Sequence, residues 1–164
     1  MQATTPAPTE APFPGMDSAI RWVGGLGFES AGMGGATLHM DQPADEGGTG
    51  YGFKPMELFL DAIGVCLGTT IVKIMEKQRL KVTSYSIDVY GDRTADMPHP
   101  YTHVVVTHTF RGPGLNQASL ERVVALVEEK YCSVAAILPR GFIENVVKIE
   151  ESASTEPTTF GGIL

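Results

Sequence analysis

The sequence predicts an α+β fold, and three observations carry that prediction. A long apolar helix opening at Pro55 lies mid-chain. Segments of alternating apolar and polar residues stand on both sides of it, and a second amphipathic helix follows the last pair of strands. Helices and strands therefore come in blocks, not in regular βαβ units. At 164 residues, 43% of them apolar, the chain suits one domain with a real core.

Taken in order, residues 1–16 are rich in Pro, Thr and Ala and are expected to be a disordered tail. A single domain is expected over 17–151, with 152–164 as a loose C-terminal tail. From Ser18, "SAIRWVGGLGFES" and "ATLHMDQP" read as strands joined by the glycine-rich "AGMGG", a hairpin or a bulged meander. The loop "ADEGGTGYGFK" leads to Pro55, whose missing N–H suits the first turn of a helix. That helix is expected to run to about Arg79. Its apolar residues lie nearly all round, which predicts a place in the centre of the fold. "KVTSYSIDVYGDR" and "YTHVVVTHTFRG" form an antiparallel hairpin across the turn "TADMPHP". Asn116 caps a second helix with Leu120, Val123, Val124 and Val127 on its apolar stripe. "SVAAIL" opens a short third helix after Cys132, and "GFIENVVKIE" is a final strand.

Composition excludes several functions. The net charge of −7 and the absence of any basic run argue against nucleic-acid binding. The apolar stretch Leu58 to Met75 is interrupted by Asp61, Gly64, Gly68 and Lys73, so no membrane span is expected. Nothing at the N-terminus resembles an export signal, and the expected location is the cytoplasm. His39, His99, His103 and His108 lack the spacing of a metal site, and His103 and His108 fall on opposite faces of one strand. No metal and no cofactor are implied.

The chemistry rests on two cysteines, Cys66 in the long helix and Cys132 after the second. In a reducing compartment such a pair is either a set of redox-active thiols or two small buried hydrophobes. A thiolate is the reactive form, and an unperturbed thiol titrates near about 8.5. Cys66 lies too far along its helix for the dipole to help, so a cation must reach it, from Arg21, Lys54 or a partner chain. Tyr51, Phe53, Met56 and Phe59, with Met97, are candidate lining for an apolar substrate pocket, with ordinary packing as the alternative.

Together these residues resemble a known family. A glycine-rich loop, a Pro-x-Glu-Leu helix start, Cys66 eleven residues after Pro55, and a second helix running into "KYCSV" are similar to the OsmC/Ohr proteins over roughly residues 18–150. These are the osmotically inducible protein C and organic hydroperoxide resistance proteins. The resemblance implies an OsmC-like fold of antiparallel sheets wrapped around two central helices in an intertwined homodimer. It also implies a thiol-dependent peroxidase for organic hydroperoxides in oxidative or osmotic stress defence, recycled by a dithiol reductant such as a lipoyl group. Under it, Cys66 is the peroxidatic thiol, Cys132 the resolving thiol, Arg21 the activating cation and Glu57 the acid beside it. The chain departs from the family pattern in three places. Met56 stands where the first acid is usual, no arginine lies between Arg21 and Arg79, and "CSVA" replaces Cys-Pro-Val-Ser. These departures place it with the "PME" branch. They also keep a second reading open, that of a non-catalytic OsmC-like stress protein or binder of small apolar ligands.

Overall fold

A computed structural model describes residues 18–150, and the expected tails, 1–16 and 152–164, lie outside the described residues. The chain divides into two compact units, Met1–Pro55 and Met56–Leu164.

In the first unit β1 (Ile20–Gly24), β2 (Gly27–Ala31) and β3 (Thr37–Met40) form an antiparallel meander. The segment read as one strand, "SAIRWVGGLGFES", is itself a hairpin. Gly24 and Gly25 adopt φ of 112° and 53°, a reversal that side chains resist, so the chain turns there before "AGMGG" turns it again. Trp22 pairs with Phe28, and Phe28 with Met40. The loop beyond β3 is organised by the buried Asp41, whose carboxylate accepts from Gln42 N at 2.7 Å and from Thr49 N at 2.8 Å and Oγ1 at 2.5 Å. These donors, the Thr49 hydroxyl first, hold its carboxyl below the usual range. At Gly52, φ 129°, a Cβ would stand 2.8 Å from His39 O, so only glycine lets Phe53 N reach that carbonyl at 2.9 Å.

The second unit carries α1 (Pro55–Lys77), β4 (Ser84–Arg93), β5 (Tyr101–Arg111), α2 (Gln117–Lys130), α3 (Ser133–Ile137) and β6 (Ile143–Glu150). β5 is central, antiparallel to β4 and parallel to β6. The parallel pair departs from the expected all-antiparallel sheets, because α2 and α3 form a crossover that returns the chain in β5's direction. Asn116 caps α2 as expected, its Oδ1 accepting from Ser119 N at 3.0 Å.

One face of this sheet makes the core. Val104, Val106, His108 and Phe110 alternate inward along β5 and are fully buried. Ile63, Leu67 and Ile71 of α1 and Leu120, Val124 and Val127 of α2 complete the same cluster. Gly64 and Gly68 let α1 lie close against β4. A Cβ on Gly64 would stand 2.9 Å from Val89, and one on Gly68 would collide with Ile87.

The outer face of α1 corrects the expectation of a helix buried all round. Ala62, Val65, Thr69 and Val72 follow one another at helical spacing and are exposed within the single chain, Val65 to 61%. By length and composition α1 also passes as a candidate membrane span, which the interrupted apolar run had argued against. Its inner face, with the two glycines, is nevertheless part of the unit's core.

Candidate thiol site

Cys66 sits in the middle of α1, half-buried, and packs against the core beside Ile63 and Leu67. Cys132 is 2% exposed at the junction of α2 and α3. Its backbone N–H donates to Val127 O at 2.9 Å, closing α2, and its Sγ accepts from Ala135 N at 3.4 Å, opening α3. The two side chains, 66 residues apart in sequence, lie near enough for Cys66 to influence the titration of Cys132, and both are free thiols.

Burial pushes the Cys132 thiol up to about 11. The N–H groups of Ala135 and Val134 favour the thiolate and work against that rise, while Cys66 adds to it. At neutral pH Cys132 is therefore a protonated thiol.

The other residues singled out from the sequence are spread over both units. Arg21 lies on β1 opposite Glu29, and Lys54 pairs with Glu46 at 3.8 Å; both belong to the first unit, whereas both cysteines belong to the second. Glu57 is exposed in the first turn of α1, where its charge suits the helix dipole. Tyr51 and Phe53 are exposed residues of the first unit, Tyr51 tilted against His39 at 5.4 Å. Met56 and Phe59 meet at Tyr101, whose hydroxyl donates to Met56 O at 3.2 Å and whose ring stacks on Phe59 at 5.8 Å. Met97 is 84% exposed.

One group went unrecognised in the sequence. His108, fully buried, accepts or donates at both ring nitrogens: Tyr85 Oη is 2.7 Å from Nδ1 and Asn145 Oδ1 is 2.8 Å from Nε2. Asn145 Nδ2 then donates to Glu128 Oε2 at 2.6 Å. Burial holds the His108 pKa below its ordinary value, so the ring is neutral. The available signal was the position of a histidine on the inward face of β5, in line with Val104, Val106 and Phe110. As expected, His103 lies on the other face, between Asp92 at 3.8 Å and Glu144 at 3.5 Å. Among the described residues no group of three His, Cys, Asp or Glu side chains is placed to hold a metal.

Known proteins share this architecture. The OsmC-like protein family matches residues 47–145. Protein YhfA of Escherichia coli K12 is 31% identical over 125 residues, 76% of this chain and 90% of YhfA. The crystal structure of a hypothetical protein from Aquifex aeolicus VF5 superposes with a TM-score of 0.74 at 25% identity, covering 86% of this chain and 100% of that one. An organic hydroperoxide resistance protein OsmC from Legionella pneumophila, described as a predicted redox protein, superposes at 0.57 with 21% identity over 85% of this chain and 98% of its own, a likeness of fold. With a family match across most of the described residues and a relative of this identity and coverage, the chain belongs to the OsmC-like family.

Proposed function

We propose that the protein is a thiol-dependent peroxidase that reduces organic hydroperoxides, with Cys66 as the attacking thiol and Cys132 as the resolving one. The observation that carries this reading is the placing of two free thiols, Cys66 half-buried and Cys132 buried, on the core of one unit. The Cys66 thiolate attacks the terminal peroxide oxygen. The O–O bond breaks, the alkoxide takes a proton to leave as the alcohol, and Cys66 becomes a sulfenic acid. Cys132 then attacks the Cys66 sulfur. The S–S bond forms, the S–O bond breaks, and the hydroxyl leaves as water with the proton of the Cys132 thiol. A small dithiol, a lipoyl group among the candidates, supplies two electrons and two protons to restore both thiols.

Relatives of the fold support the substrate class, since one is named for organic hydroperoxide resistance. In this reading Arg21 and Glu57 serve as activating cation and partner acid, Arg21 from either chain of a homodimer. Tyr51, Phe53, Met56 and Phe59 then contribute apolar surface to the substrate. The exposed stripe of Ala62, Val65, Thr69 and Val72 supports the dimer, because an apolar helix face of this length is costly to leave in water. Turnover of cumene hydroperoxide with a dithiol tests the assignment. Cys66→Ser should abolish turnover, Cys132→Ser should stop it after one cycle, and Arg21→Gln should slow the first step about tenfold or more. Unchanged turnover in Cys66→Ser would remove the proposal.

A second reading, binding of a small apolar ligand without catalysis, is favoured by Met56 at the position of the usual acid. It requires a Cys66 thiol that reacts with peroxide no faster than a free thiol, which competition kinetics against glutathione will show.

A further inference from the structure

The thiol pair is useful only if Cys132 is held near Cys66. Cys132 follows the end of α2 and depends on its last turn, because its N–H is bonded to Val127 O. Tyr131 N–H bonds the same carbonyl, so a shift of that turn carries the thiol with it.

We infer that Asn145 is the positioning residue for Cys132, tethering the last turn of α2 through Glu128 to the buried His108. The inference rests on the dithiol chemistry proposed above and concerns the step that closes the disulfide. Glu128 is one residue beyond the Val127 carbonyl that holds Cys132, and its carboxylate takes the Asn145 amide at 2.6 Å.

The direction of every bond in the row follows from the carboxylate. An ionised carboxylate only accepts, so Asn145 must present its Nδ2 to Glu128 and its Oδ1 to His108. His108 then carries its proton on Nε2 and accepts at Nδ1, and Tyr85 must donate. No other assignment satisfies all four groups. The row crosses β4, β5 and β6 and ends on α2, so rotating the Asn145 amide breaks its bond to the buried His108, and moving Glu128 breaks its bond to Asn145. The ring of Tyr85, stacked on Phe110 at 4.5 Å with an angle of 4°, fixes the far end. Glu128 is the half-exposed end and borders a cavity of about 540 Å³ beside α3.

Closing the disulfide needs the two Cα atoms within about 7 Å, and a thiol already held near that geometry acts at high effective concentration. Loss of the tether therefore weakens the Cys66–Cys132 bond relative to the dithiol, even though no residue of the row touches peroxide.

The test uses the full-length chain equilibrated in dithiothreitol redox buffers, with the disulfide fraction read by alkylation and mass spectrometry. Asn145→Ala and Glu128→Ala should each make the disulfide about tenfold easier to reduce, a shift of about 30 mV. Glu128→Gln should stay within about twofold of wild type, because its amide oxygen still accepts from Asn145. Leu120→Ala, which opens a cavity in the same helix without touching the row, lowers stability but should leave the equilibrium where it is. Asn145→Ala and Glu128→Ala at the wild-type value, or Leu120→Ala shifting as far as they do, overturns the assignment. So does a wild-type chain that forms no Cys66–Cys132 disulfide at any buffer ratio. Because no peroxide is used, a chain inert to hydroperoxide overturns only the peroxidase reading.

Discussion

The two thiols are not equivalent, and the difference suits the proposed order of reaction. Cys132 is buried, capped by Ala135 N–H and raised to about 11, so at neutral pH it keeps its proton while Cys66 meets solvent. A reduced Cys66→Ser chain should therefore alkylate at Cys132 only slowly until the pH rises well above 8.5, the ordinary thiol value of about 8.5 marking the unfolded chain. The same shift has a stability sign. Between about 8.5 and about 11 the unfolded chain has released the proton that the folded chain still holds, so stability falls as pH rises through that window. Cys132→Ala should flatten that fall in a urea titration. His108 acts at the other end of the scale. Its folded pKa is lowered, so the unfolded chain binds a proton first and stability is lost as pH falls below about 6.5. A His108→Gln chain, less stable throughout, should show a shallower loss over that range. At this scale the cysteines were legible because their contexts, "GVCLG" and "KYCSV", are local. The row from Tyr85 to Glu128 was not. Alternation assigns His108 to a face but does not say which polar atoms three other elements will bring to it.

Among the elements, α1 does the most to position the site. Two glycines on its inner face let it lie close to β4, and its outer face carries the exposed stripe. Gly64→Ala and Gly68→Ala should each destabilise the fold by about 1–3 kcal/mol through overpacking, the latter more because Ile87 stands closer to it than Val89 does to Gly64. Chemical unfolding of the two variants measures this. Most elements were readable from periodicity: the β4–β5 hairpin, the capped α2, the short α3 and the last strand all lie where alternation, Asn116 and Pro55 place them. Two features escaped for physical reasons. The β1–β2 turn was hidden because two glycine-rich segments competed for one reversal. The direction of β6 was hidden because strand pairing depends on where a crossover lands, and that is a tertiary choice.

For the whole molecule, a helix that looks central in the sequence is only half covered in one chain. If the stripe along α1 is the seam of a homodimer, Val65→Glu should convert a dimer to a monomer in sedimentation equilibrium while Glu121→Lys, exposed on α2, should leave it dimeric. The fold class was legible because block order and the two cysteine contexts are sequence properties. The role of a cation was not, because alternation and spacing assign Arg21 and Lys54 to one unit and the thiols to the other. The central claim is that Cys66 and Cys132 work as one redox pair, and the most direct measurement is titration of the fully reduced protein with cumene hydroperoxide, with free thiols counted and disulfides mapped by mass spectrometry. The account predicts loss of both thiols per chain at one equivalent and an intramolecular Cys66–Cys132 bond. Survival of both thiols in excess peroxide, or oxidation of Cys66 beyond the sulfenic acid with Cys132 untouched, would contradict it.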